Sequence, residues 1–292
     1  LPPGDALRIQ WSKILGPGNV TFASPNTPVT GAAFSAARIY ILQLTAHDGE
    51  AQSSDLVEVR VETLCTVNDP AGLTAWWPAN GTSLDVVGGQ SALLGSGASY
   101  APGEVGSAFN FDGANDYVWM PAHTNYNIGQ SANGFTIEFW MNPAAQANTA
   151  ALGWSNGIRF EGYQNSSWFG DSVRCLLTGS GTLRAVNLWS ASSFSWTHVA
   201  LTYNRALGQA KIFANGVLMD TQTVGTNLLG TAGDFYLGQV AGSSGFYPGQ
   251  LDELSLYQRP LDPQEVYSVY TSGSVGKCPD TKDNAPPVVF AG

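Results

Sequence analysis

S-W-T-H-V-A-L-T-Y-N-R-A-L-G-Q-A-K-I-F-A-N-G-V-L-M-D-T-Q-T, residues 195–223, alternates apolar and polar side chains on both sides of an asparagine–glycine pair. Val199, Leu201 and Tyr203 fall on one face of a strand and His198, Ala200 and Thr202 on the other, as pleated backbone requires. Asn215-Gly216 supplies the positive φ values of a type I′ turn, so residues 210–214 and 217–223 should pair as a hairpin. Three consecutive antiparallel strands leave one apolar face uncovered. A second sheet has to close it, which predicts an all-β sandwich.

The rest of the 292 residues agree with that class, because 34 Gly, 16 Pro and only 3 Met give frequent turns and few helices. With 12 Lys+Arg against 22 Asp+Glu the net charge is −10, so the surface lacks the basic patches that nucleic acid or an anionic membrane needs. Divalent cations and neutral polymers stay compatible. No apolar run reaches the roughly 18 residues that a membrane span requires. The three cysteines are Cys65, Cys175 and Cys278. Cys65 and Cys278 flank the larger all-β region, and sandwich domains often bring their ends together, so a Cys65–Cys278 disulfide is one expectation and three reduced thiols the other. Cys175 reads as a small buried hydrophobe.

Residues 1–63 form a first unit, with extended stretches at 7–13, 19–22, 39–46 and 56–61. The segments W-S-K-I-L-G-P-G, Y-I-L-Q-L-T-A-H-D-G and D-L-V-E-V-R-V resemble the bacterial PKD-type (polycystic kidney disease repeat) domain, a small immunoglobulin-like sandwich, here truncated. Residues 279–292 hold N-A-P-P-V-V-F-A-G, which is similar to the first strand of another such domain. Two readings stay open: a window from a longer tandem array, or a strand that completes the sandwich of a neighbouring copy and builds a filament.

Residues 64–278 carry the larger unit. Its strand-like segments are spaced as in a jelly roll, and Asp262-Pro263-Gln264-Glu265 starts one helix with Val266, Val269 and Tyr270 at helical spacing. The ordered set A-W-W-P-A-N-G, L-D-V-V-G-G, G-S-A-F-N-F-D-G-A-N-D-Y-V, G-F-T-I-E-F-W, W-T-H-V-A-L-T-Y, F-A-N-G-V and G-Q-L-D-E-L-S-L-Y resembles the LamG-like (laminin G, concanavalin A-like) jelly roll of secreted bacterial proteins. That resemblance implies an extracellular or cell-surface location and a structural Ca²⁺. The ion would be held by Asp252 with Asn80 or Gly81, Asp85 and Gly88, and Asp112 is a further candidate. Ordinary Asx turns are the competing use of these aspartates.

Catalysis finds little support. No E-x-D-x-x-E string places paired carboxylates on one strand, Glu138 stands alone, and adjacent Asp252 and Glu253 should point to opposite faces. His47, His123 and His198 lack a nucleophile at a recognisable elbow, and His198 reads as a hydrogen-bonded sheet histidine. Glycan binding is the live alternative, with Trp154, Arg159, Tyr163, Trp168 and Trp189 as candidates and Phe246 and Tyr247 on a second rim. Most of these aromatics could equally fill the core. Asn19, Asn80 and Asn165 head glycosylation sequons. The sequence therefore points to a non-catalytic structural or adhesive module whose copies could associate, or to a carbohydrate-binding module attached to a secreted glycoside hydrolase.

Overall fold

The computed structural model describes residues 7–16, 18–34, 38–61, 67–68, 70–145, 148–155, 157–163, 171–177, 179–189, 194–240 and 245–278; at some of these, Tyr163, Trp189 and Cys278 among them, only the backbone is described. The chain divides into two compact units, Leu1–Leu64 and Cys65–Gly292.

In the first unit the strands are β1 (Arg8–Leu15), β2 (Val20–Phe22), β3 (Ala32–Phe34), β4 (Arg38–His47) and β5 (Gln52–Val61). A sheet of order β1-β4-β5 faces the β2-β3 hairpin. Alternation on β4 turns Tyr40 and Leu42 inward, at 0% and 4% exposure, and the Phe34 ring packs 4.7 Å from Tyr40. The opposite face of the sheet leaves Leu15, Ile39 and Leu56 exposed.

The second unit runs β6 (Val67–Asn68), β7 (Leu73–Trp77), β8 (Leu93–Gly95), β9 (Ser99–Pro102), β10 (Ser107–Asp112), β11 (Tyr117–Met120), β12 (Gly134–Pro143), β13 (Ala150–Trp154), β14 (Ile158–Tyr163), β15 (Asp171–Leu177) and β16 (Gly181–Trp189). It continues with β17 (Thr197–Asn204), β18 (Gln209–Ala214), β19 (Val217–Thr223), β20 (Phe235–Leu237), β21 (Pro248–Tyr257), helix α1 (Pro263–Ser272) and β22 (Lys277–Cys278). The meander expected at residues 195–223 is present: β17 pairs with β18 and β18 with β19, and Asn215 and Gly216 turn the chain at φ 48° and 74°.

Two large sheets face each other. One has eight strands in the order β19-β18-β17-β12-β21-β10-β9, with β7 also paired to β21; the other has seven, β16-β15-β14-β13-β20-β11-β8. Phe109, Phe135, Ile137, Phe139 and Leu201 from the first meet Val118, Leu152, Trp154, Phe160, Val173 and Phe235 from the second in one continuous core. The architecture is the jelly-roll sandwich that the strand spacing led one to expect. Cys175 is a free thiol inside this core, and burial raises its pKa.

Helix α1 starts as the sequence indicates. Asp262 accepts hydrogen bonds from the Gln264 and Glu265 N–H groups and Glu265 closes the capping box. Its buried Val266 packs with Ala200, Phe213, Tyr257 and Leu261 on the outer face of the eight-stranded sheet. Just beyond, β22 pairs in parallel with β6, Lys277 opposite Val67 and Cys278 opposite Asn68, so the two ends of this unit lie side by side. Cys65 and the Cys278 side chain lie outside the described residues.

Candidate functional site

The seven-stranded sheet turns its apolar residues to the core and a different set outward. On β11, Val118 and Met120 are buried whereas Tyr117 and Trp119 remain partly exposed. On β20, Phe235 and Leu237 point in and Tyr236 out. On β14, Ile158 and Phe160 point in and Arg159 and Glu161 out. Pairing then aligns these outward residues across four strands, Trp119 opposite Tyr236, Tyr236 opposite Gly153 and Gly153 opposite Arg159.

Next to that row is a charged group. Glu161 bridges two arginines, 2.7 Å from Arg159 Nε and 2.6 Å from Arg174 Nη2, and Arg184 stands directly opposite Arg174 on β16. Burial pushes the Tyr236 phenol up, and the Asp234 carboxylate beside it adds to the shift. The result is a face of planar aromatics next to fixed guanidinium groups, the donor set that stacks on a sugar ring and hydrogen-bonds its oxygens.

The outer face of the eight-stranded sheet also holds charge, but sealed away. Glu253, adjacent to Asp252, does not alternate to the opposite face as the sequence led one to expect. Pairing of β12 with β21 shifts between Glu138 and Trp140, and Glu253 takes φ 55°, so a bulge turns its side chain beside Glu138. Lys277 Nζ lies 2.8 Å from Glu138 Oε1 and 3.3 Å from Glu253 Oε2. His198 Nε2 is 3.1 Å from Glu138 Oε2, as expected of a hydrogen-bonded sheet histidine, and Trp76 Nε1 donates to Glu253 at 3.1 Å. Burial alone would raise the Glu138 pKa, but Lys277 and then His198 outweigh it and bring it down to about 2. Glu253 goes the other way, to about 7, through burial. Acids do converge here, yet Glu138, Glu253, His198 and Lys277 are all buried, so the group braces the sheet and offers no cleft to a substrate.

The residues proposed for calcium divide into three places. Asp252 is buried in the bulge, where Oδ2 accepts from the Val105 N–H at 2.9 Å, and Asn80 Oδ1 accepts from the Ser107 N–H nearby on the same loop. Burial, with the Glu253 carboxylate next to it, pushes Asp252 up to about 8. Asp85 instead organises its own turn, taking the N–H groups of Trp76, Val87 and Gly88 on Oδ1. Asp112 accepts from Ala114 in the turn at the far end of β10. Among the described residues no group of three or more His, Cys, Asp or Glu side chains is arranged to hold a metal.

Two glycan candidates prove to be core residues. Trp154 is 2% exposed and stacks on Phe235 at 4.2 Å; Tyr247 is also 2% exposed, edge-on to Phe111. Both lie on the inward side of their segments, where burial wins over stacking on a ligand. Phe246 is half-buried. Of the others, Arg159 is on the outer face, while Trp168, Asn165 and the side chains of Tyr163 and Trp189 lie outside the described residues. Asn19 is exposed, Asn80 half-buried. Tyr117, Trp119 and Tyr236 were not singled out from the sequence; the alternation in Y-V-W-M and F-Y-L sets them on one side of their strands without showing that this side faces outward.

A search of curated proteins finds no match. Among solved structures the chain is similar to domain 4 of AbnA, a GH43 extracellular arabinanase from Geobacillus stearothermophilus, in complex with arabinotriose, at 22% identity over 67% of this chain and 96% of that one, with a TM-score of 0.51. It is also similar to the binding domain of Paraclostridial Mosquitocidal Protein 1, at 15% identity over 69% of this chain and 52% of that one, TM-score 0.51. At these identities the likeness is one of fold. The family model described as concanavalin A-like lectin/glucanases superfamily matches residues 112–267, more than half of the sequence and most of both large sheets. By sheet order, by core and by that match, the chain belongs to the concanavalin A-like lectin/glucanases superfamily.

Proposed function

We propose that the jelly roll is a non-catalytic saccharide-binding module of an extracellular protein, and that it binds on the outer face of the seven-stranded sheet. The observation that carries this reading is the aligned set Trp119, Tyr236 and Arg159, partly exposed and adjacent in register. Partly exposed aromatics next to a guanidinium are the pairing that stacks on a sugar ring and hydrogen-bonds its oxygens. The fold shared with an arabinanase domain bound to arabinotriose supports it. A glycan array tests it: the wild type should retain at least one oligosaccharide class that Trp119→Ala loses, and a silent array removes the proposal.

The same reading retains a structural Ca²⁺ at Asp252, because a carboxylate pushed up to about 8 by burial is one that a divalent cation would relieve. A Cys65–Cys278 bridge belongs to it too, and is supported by the β6–β22 pairing that sets the ends together. A second reading, an adhesive or spacer role in which a strand from a neighbouring copy completes the PKD-like sandwich, is supported by the described three-stranded β1-β4-β5 sheet, whose outer strands β1 and β5 each pair on one side. Solution mass across a dilution series separates it; a monomer at every concentration rules it out.

A further inference from the structure

We infer that the outer face of the eight-stranded sheet carries a second binding site, for a small monocarboxylate with an apolar body, whose carboxylate is received by Lys211. It is separate from the saccharide face, which belongs to the other sheet. A cavity of about 270 Å³ opens between strands β17 and β18 and the segment that leads into α1. Its floor is a block of four residues, Thr202 opposite Lys211 and Asn204 opposite Gln209. The alternation that sends Tyr203, Ala210 and Ile212 into the core leaves these four facing outward.

Both walls are held by hydrogen bonds. On one side Thr136 accepts from the Leu261 N–H at 2.8 Å and donates to the Arg259 carbonyl at 2.9 Å, which pins Pro260 and Leu261 against the sheet. Asp262 continues that wall, its Oδ1 taken by the Gln264 and Glu265 N–H groups. On the other side Asn204 Oδ1 accepts from the Leu207 N–H at 3.1 Å and sets the turn between β17 and β18. Leu207 stands at the mouth, 68% exposed.

The floor offers donors. Among the described residues the side chains of Thr202, Gln209 and Lys211 make no hydrogen bond or ion pair, and Asn204 keeps its amide N–H groups free. Thr202 is only 4% exposed, and a hydroxyl at that depth costs stability until something pairs with it. Lys211 is half-buried, and no described carboxylate lies within ion-pair distance of it. An ammonium beside a hydroxyl and two amides suits a carboxylate, whereas Leu207, Pro260 and Pro263 present a hydrocarbon surface to the rest of the ligand. Asp262 limits the charge to one, because a second negative group on the ligand would meet it on the wall. The volume falls below the roughly 300 Å³ at which pockets for drug-sized ligands begin, so the ligand is small.

Cyclohexanecarboxylate and its neutral counterpart cyclohexanecarboxamide, titrated into the whole chain at low ionic strength and followed by backbone amide chemical shifts, test this. The acid should move the amides of residues 202–211 and 259–263 with a dissociation constant of about 1–10 mM, and should bind at least about fivefold tighter than the amide. Lys211→Met keeps the aliphatic stem and should bring the acid down to the affinity of the amide. Leu207→Ser, at an exposed turn position, should weaken both probes alike and keeps the test usable should the first variant fail to fold. Equal affinity for the two probes, shifts centred on other residues, acid binding that survives Lys211→Met, or no shift at about 50 mM acid overturns the inference. None of these outcomes touches the saccharide reading, because Trp119 and Tyr236 belong to the other sheet.

Discussion

The two sheets of the sandwich turn their outer faces to opposite uses. On the eight-stranded sheet, helix α1 packs on the surface, and the buried Lys277 pairs with both Glu138 and Glu253. On the seven-stranded sheet the aromatics and arginines remain partly in solvent, with Glu161 as their shared brace. Both faces place carboxylates among cations, but burial decides what each can do. Ions sealed from water hold structure together, because breaking a pair leaves an uncompensated charge. Ions at the surface contribute little to stability and stay available to a ligand.

The largest expected effect tests the closed face. Lys277→Met leaves Glu138 buried without its cation and should cost about 3–5 kcal/mol of unfolding free energy, read by denaturant titration. Adding Glu138→Leu should recover most of that loss. If the single variant is as stable as the wild type, the closed face is not held by its ions. On the open face, Trp119→Ala should leave the melting temperature within a few degrees while lowering saccharide affinity by about 2 kcal/mol, ~30-fold. Trp154→Ala, inside the core, should do the reverse and cost about 3–5 kcal/mol of stability. A Trp119 variant that melts like the Trp154 one would erase the distinction between the faces.

The pH dependence sharpens the comparison within the closed face. Asp252 shifts from 3.8 up to about 8 on folding, so between about pH 4 and 8 the folded chain keeps a proton that the unfolded chain has released. Its effect is to lower stability as the pH rises through that window. Glu138 shifts from 4.5 down to about 2, so its contribution is present above about pH 4.5 and disappears as the pH falls toward 2. The melting temperature should therefore be highest in mild acid. Asp252→Asn should flatten the decline toward pH 8, and millimolar Ca²⁺ at pH 8 should raise the wild type and leave that variant unmoved. A calcium response equal in both proteins would place the ion elsewhere or nowhere.

What the sequence disclosed follows local rules. Asn215-Gly216 fixes a turn, the alternation at 197–204 fixes a strand, and Asp262 with Glu265 fixes a helix start, because each signal is contained within a few residues. The bulge at Glu253 was hidden for a related reason. Adjacent residues point apart only while the pleat continues, and a non-glycine residue at φ 55° leaves no trace in composition. Trp154 and Trp119 each occupy a short strand, and nothing within those strands says which side meets the core; that depends on partners far along the chain, β20 for both. Among the described residues of the open face, the sequence reading singled out Arg159 and passed over Trp119 and Tyr236.

The smallest expected effect concerns the cover itself. Helix α1 keeps the closed face dry, and its start rests on Asp262 receiving two N–H groups while Glu265 both closes the box and pairs with Arg259. Asp262→Ala removes the acceptor and should cost about 1 kcal/mol, measured by denaturant titration. The loss should appear with faster amide exchange in residues 263–272, while saccharide affinity is unchanged, because α1 packs on the sheet opposite the binding face. If affinity fell along with stability, the two faces would be coupled through the core, and the division of labour between them would have to be given up.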